Sequence, residues 1–364
     1  MAVSVVCHRP FRRPGLFAPL LLSVGTSAVL LLILAGAELL ARWSAPDYLV
    51  RTRGFHVFSE TYGWVPRQGA SVVIDGKRVT FNARGFRGHD LPIPNTGDRT
   101  RVVVLGDSIA FGLDVADDET FTHVLHVRDN GIEAANLAVQ GYGPDQELLV
   151  LMNEGLRLEP DVVVLAYCLA NDLADVVLPV SLYDGRTPKP RFRLVGDRLV
   201  LDDEGLRLSA WQRAHQWIAD YSQLSNRASA LVSRREPPLG PHWRERYDGV
   251  LRDEAYALRL SLALVERMDA VCRERGIKFL VAAFPDRDSY KVKPRLAKRF
   301  LRSLEKNGIQ VVDMSVPFRA AGPSFKTVAL DGAGHLNPFG HALTAEFVEG
   351  YIRRPREARL QPQP

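Results

Sequence analysis

The sequence predicts a three-layer α/β/α domain on a mostly parallel sheet, preceded by a single membrane-crossing helix. Runs of β-branched and aliphatic residues at 101–105, 134–137, 162–166, 279–283 and 309–313 alternate with helical patterns. That alternation marks βαβ units, whose crossover helices cover both faces of a parallel sheet. Polar loop motifs follow several of these strands at their carboxyl ends, where open α/β sheets place their sites. Ahead of the domain, residues 14–37 carry no charge; as a helix they extend about 36 Å against roughly 30 Å of hydrocarbon.

Taken in order, Arg9, Arg12 and Arg13 precede the apolar stretch, so residues 1–13 are expected in the cytoplasm and residues 14–40 across the cytoplasmic membrane. With no second stretch of comparable length, everything after that helix is expected outside. Ala35-Gly36-Ala37 also fits a small-residue cleavage site, so a cleaved signal peptide is the alternative, although the apolar run exceeds a usual signal core. Residues 41–98 read as a polar lead-in with a hairpin of 71–74 and 77–81 around Asp75-Gly76.

The α/β domain is expected over 99–353, with helices near 118–129, 145–157, 254–275, 294–307 and 338–353 and a tail over 354–364. Residues 173–253 interrupt the alternation as an insertion. Within it, 192–201 reads as a hairpin turning at Gly196-Asp197. A helical stripe runs through Trp211, Ile218, Leu224 and Leu231 until Pro237, Pro238, Gly240 and Pro241 end it. Because the insertion leaves the sheet just after Asn171-Asp172, it is expected to form a lid or pocket wall that draws on Tyr183, Phe192, Trp211 and Trp217.

Composition excludes some classes. The net charge of +5 comes from 47 basic and 42 acidic residues spread along the chain, which argues against a nucleic-acid grip. Cys7, Cys168 and Cys272 show no paired spacing; Cys168 and Cys272 read as small buried residues, with one bridge between them as the alternative. His123 and His126 lack an acidic partner at metal spacing, and neither metal nor cofactor is expected.

Chemistry concentrates where Val102–Leu105 runs into Gly106-Asp107-Ser108. A hydroxyl on the turn leaving a buried strand suits a nucleophile, since the following helix aims N–H groups at developing negative charge. Three further blocks follow: Asn136 to Gln146 around Gly141, then Asn171-Asp172, then Asp331 to His341 around His335. These four blocks, in this order, resemble those of the SGNH (GDSL-type) hydrolases, and the chain resembles a membrane-anchored member. The likeness spans about Arg101 to Tyr351 with the insertion set aside.

It implies a flavodoxin-like fold and acyl transfer with Ser108 as nucleophile, His335 as general base and Asp331 as orienting acid. The oxyanion donors it implies are Ser108 N–H, Gly141 N–H and the Asn171 amide. Ala170 stands where the family commonly has Gly, and three residues rather than two separate Asp331 from His335. Gly332 and Gly334 allow that longer loop to reach back to the imidazole, with a backbone carbonyl as the alternative partner. His341 reads as a packing residue of the last helix, Asp107 and Asp172 as caps, and Tyr142 and Gln146 as pocket walls. The implied activity is hydrolysis of an acylated small molecule, glycan or lipid of the envelope or exterior through an acyl-enzyme. An O-acyltransferase acting on surface polysaccharide, and a non-catalytic binding or assembly protein of the same fold, are the alternatives.

Overall fold

A computed structural model describes residues 17–46, 54–74, 76–128, 131–181, 187–202, 206–232, 253–291 and 294–354. Cys7, the three arginines before the apolar stretch, Asp75, Tyr183, the prolines after the insertion's helical stripe and the tail from 355 lie outside the described residues. The chain forms two units, one of the N-terminal helix with residues from Trp217 to Arg235, the other of Arg53–Gln216 and Glu236–Pro364.

The larger unit begins with two antiparallel hairpins, β1 (His56–Ser59) with β2 (Gly63–Pro66) and β3 (Ser71–Ile74) with β4 (Lys77–Thr80). The central strands are β5 (Thr100–Gly106), β6 (Ile132–Asn136), β7 (Val162–Cys168), β10 (Lys278–Phe284) and β11 (Gln310–Asp313), all parallel, in the order β11-β10-β7-β5-β6. The expected three-layer fold is therefore present, with the flavodoxin-like strand order. Its direction reverses between β5 and β7, the switch point at which such sheets open a crevice.

Both faces of these strands are apolar because both are covered. Val102 to Leu105 and Val163 to Ala166 are completely buried, and each such aliphatic side chain contributes about 1.5–3 kcal/mol by leaving water. Against one face pack the helices Pro144–Val150, Glu254–Arg273 and Arg295–Lys306; Phe121–Val127, Ser315–Ala321 and Pro338–Arg353 group together elsewhere on the sheet. Local chemistry sets their starts. Thr120, Asp253 and Asn337 each accept an N–H of the following turn, from His123, Tyr256 and Gly340, and Pro338 occupies a first-turn position where its missing N–H is no loss.

The insertion's hairpin, β8 (Arg191–Val195) with β9 (Arg198–Asp202), places Phe192, Leu194 and Leu199 against the core. The lead-in does the same with Tyr62, Trp64, Phe86 and Leu91. Cys168 and Cys272 are buried free thiols, which removes the bridge left open by the sequence.

Candidate active site

The turn after β5 is sterically defined. Gly106 has φ 153°, and a Cβ there would stand 2.9 Å from Ala110 Cβ and 3.0 Å from Ala166 Cβ, closer than side-chain carbons approach. Asp107 then caps the single helical turn Ser108–Phe111 by accepting Ile109 N–H at 2.9 Å. Ser108 is thus the first residue of that helical turn. Its Oγ lies 2.9 Å from His335 Nε2.

His335 Nδ1 lies 2.6 Å from Asp331 Oδ2, so the partner of the imidazole is the carboxylate rather than a backbone carbonyl. The long Asp331–His335 loop is drawn in by Asp331 itself, whose Oδ1 accepts the N–H groups of Ala333, Gly334 and His335 at 3.0, 3.0 and 3.2 Å. Gly334 takes φ 112°, which a side chain at that position would resist. One carboxylate oxygen therefore shapes the loop and the other holds the base.

Electrostatics tunes the pair in opposite senses. Burial works against the imidazolium of His335, but the bond to Asp331 and the charges of Asp331, Asp107 and Asp114 outweigh it and hold the His335 pKa above its ordinary value. For Asp331, burial works against the carboxylate, and the His335 bond with the loop N–H groups more than offsets it. The Asp331 side chain is 43% exposed and that of His335 12%. Asp114, with φ 68°, brings a third donor within 4.8 Å of this pair. These three groups could ligate a cation, but the 2.6 Å gap between Asp331 Oδ2 and His335 Nδ1 fits a shared proton.

The loop after β6 runs beside the nucleophile turn. Val139 N–H donates to Gly106 O at 3.0 Å and Trp64 Nε1 to Gln140 O at 3.0 Å, which ties the stretch leading into Gly141, with φ 80°, to the nucleophile turn and the lead-in. Asn171 follows β7 and is tied to the nucleophile turn through Asp107. Its Nδ2 donates to Asp107 Oδ2 at 3.2 Å and to Asp175 Oδ2 at 3.1 Å, while its buried Oδ1 has no partner. Both amide protons expected to serve an oxyanion are thus held on carboxylates, and service there requires one to be released.

Behind Asn171 lies a buried acidic cluster that no spacing rule foretold. Asp145 is paired with Lys189 of the insertion at 2.6 Å with both side chains buried, and Asp172 Oδ2 accepts Cys168 N–H at 2.7 Å. Neither oxygen of the buried Glu147 side chain has a hydrogen-bond partner. Burial raises the pKa of Glu147 and Asp172 well above the carboxylate range, and Asp107, Asp145 and Asp175 are raised as well.

Two expected pocket residues face the other way. Tyr142 OH donates to Trp64 O and Gln146 Nε2 to Tyr62 O, and both residues are fully buried; they bind the lead-in rather than line a substrate pocket. His341 is buried, with its pKa lowered to about 3 by burial and the charges of Arg87 and His335, and its Nδ1 accepts Phe121 N–H. The lead-in also supplies Arg87, buried and bonded to the carbonyls of Phe111, Gly112 and Val115 and to Asp117, so it braces the turn that carries Ser108.

No protein-family model and no curated protein sequence matches the chain. It is similar to solved structures that include a member of the lipolytic protein G-D-S-L family from Veillonella parvula, at 13% identity over 70% of this chain and 99% of that one, TM-score 0.40. Others are a GDSL-like lipase from Bacteroides thetaiotaomicron, at 12% identity over 72% and 91%, TM-score 0.38, and a catalytic mutant of an acetylxylan esterase from Geobacillus stearothermophilus, at 12% identity over 71% and 99%, TM-score 0.41.

Proposed function

We propose that this chain is a serine ester hydrolase that works through an acyl-enzyme. The observation that carries the reading is the series Ser108 Oγ, His335 and Asp331, linked at 2.9 and 2.6 Å beside the switch point of the sheet. Ser108 Oγ attacks the ester carbonyl as His335 Nε2 takes its proton, and Asp331 stabilises the imidazolium that forms. The oxyanion is met by the N–H groups of Ser108 and Gly141 and by the Asn171 amide once it releases a carboxylate. Collapse returns the proton from Nε2 to the leaving alkoxide. Water then attacks the acyl carbonyl as His335 Nε2 takes its proton, and collapse breaks the bond to Ser108 Oγ, which recovers the proton from Nε2 as the acid leaves.

Water as the final acceptor is supported by exposure, since Asp331 is 43% exposed at the edge of the site. The substrates are O-acyl groups of glycans or lipids in the envelope or outside it, because the apolar helix Phe17–Ser44 anchors the chain and the preceding arginines keep the short end in the cytoplasm. The test is hydrolysis of a short-chain aryl ester by the detergent-solubilised chain. Ser108→Ala and His335→Ala should abolish it with melting temperatures unchanged, and a full rate in either variant overturns the proposal.

A further inference from the structure

The smaller unit presents a pair of helices turned inside out for water. Helix Ala210–Tyr221 continues past Ser222 into Gln223–Val232. From Trp217 onward the buried side chains of this pair include Asp220, Gln223 and Asn226, whereas Trp217, Ile218, Tyr221 and Leu231 are 61%, 44%, 40% and 89% exposed. Asn226 Nδ2 satisfies the carbonyls of Ala219 and Ser222, and Gln223 Nε2 that of Pro46. A helix facing water does the reverse.

The same unit says where that apolar surface lies. Glu38 accepts from Ser222 Oγ, Gln223 N–H and Leu224 N–H at 2.9, 3.0 and 2.9 Å, capping the helix Gln223–Val232. Arg42 Nη2 donates to Tyr221 O at 2.6 Å, and Arg227 Nη2 to Ala41 O at 2.9 Å. Residues 221–227 are therefore fastened to residues 38–44 of the apolar helix. The uncharged part before Glu38, residues 17–37, is about 31 Å long, so it fills a hydrocarbon core and leaves Glu38 to Ser44 at the level of the headgroups. Trp43, 82% exposed, and the stacked rings of Trp217 and Tyr221, 5.8 Å apart, then share the zone that aromatic residues favour.

We infer that residues 217–232 lie on the lipid surface as an interfacial helix pair, with Trp217, Ile218, Tyr221 and Leu231 immersed among headgroups and upper acyl chains. This rests on the anchor reading given above. The occupant is the bilayer itself, because this apolar face is fastened by the Glu38, Arg42 and Arg227 contacts to the end of the helix that crosses it.

The test uses the full chain in vesicles of phosphatidylethanolamine and phosphatidylglycerol that carry doxyl quenchers both near the headgroup and in mid-acyl chain. An environment-sensitive fluorophore is attached in turn at Leu30→Cys, Ile218→Cys, Leu231→Cys and Lys298→Cys in a Cys7→Ser background, where Cys168 and Cys272 are buried and unreactive. Quenching at 218 and 231 comparable to that at 30, with none at 298, is the expected result. Quenching at 30 with 218 and 231 behaving like 298 overturns the interfacial helices and leaves the anchor standing. Absence of quenching at 30 overturns both.

Discussion

Replacing Asp331 by Asn separates the two duties of that side chain. An Asn Oδ1 can still accept the N–H groups of Ala333, Gly334 and His335, so the loop is retained, while the charged bond from Oδ2 to His335 Nδ1 is lost. A hydrogen bond to a charged group contributes about 1.5–3 kcal/mol, and removing a triad acid has cost about 10⁴ in rate where that acid is deeply buried. Asp331 is 43% exposed, so water takes over part of its role, and the expected fall in kcat/KM is about 10²-fold. The pH profile should move as well. His335 must be neutral to accept the Ser108 proton, and Asp331 is the foremost of the groups that hold its pKa above the ordinary value against burial. In Asp331→Asn that bond and charge are lost while burial remains, and the acid limb of kcat/KM should shift to lower pH. Stopped-flow hydrolysis of an aryl acetate from pH 5 to 9 reads both quantities; a loss below about tenfold with an unmoved limb would refute the assignment of Asp331 as the orienting acid.

Asn171→Ala should lower kcat by about 10²–10³ with little change in KM, and a proportionate rise in KM instead would make Asn171 a substrate-binding group. Asp175 has its pKa raised from 3.8 to about 8, chiefly by burial. The folded state thus keeps a proton that the unfolded chain has lost, and stability falls as pH climbs through that window. Asp175→Asn removes this titration while still accepting from Asn171, so its melting temperature should drop less than wild type between pH 5 and pH 8; equal drops would show that Asp175 is already ionised. Lys189→Met strands Asp145 in a buried site and should cost about 3–5 kcal/mol by denaturant unfolding, with a cost under about 1 kcal/mol showing that Asp145 is protonated there. An alkaline phosphatase fused after Pro364 should be active outside the membrane, and an inactive fusion with an active cytoplasmic reporter at the same junction would reverse the topology.

The sheet was legible because its strands are written locally. Val102–Leu105 and Val162–Ala166 are apolar on both faces, and a strand that is buried on both sides must be. Boundaries shifted where pairing decided them: β6 begins at Ile132, opposite Thr100, ahead of the run at 134. The helix expected to reach residue 157 is α-helical to Val150 and then widens into a π-helical turn over Leu151–Gly155, a change to i→i+5 hydrogen bonding that an apolar pattern read at the α-helical period does not announce.

The candidate triad could be named from short loop motifs, since each member sits at the end of an identifiable strand or loop. Its supports could not. Arg87 acts on carbonyls some 25 residues away, and Lys189 meets Asp145 across 44 positions, contacts that no local pattern encodes. The stripe through Ile218 and Leu231 gave a helix but not its surroundings. An amphipathic period reports that one face is apolar and is silent on whether protein or lipid covers it.

The central claim is that Ser108 carries the acyl group during turnover. Rapid acid quench of the chain with an activated acyl ester, followed by peptide mass analysis, tests it directly. The account predicts an adduct of the acyl mass on the peptide containing Ser108, formed within one turnover and absent from Ser108→Ala and His335→Ala. Ester cleavage by wild type with no adduct on that peptide, or cleavage that persists in Ser108→Ala, would contradict it.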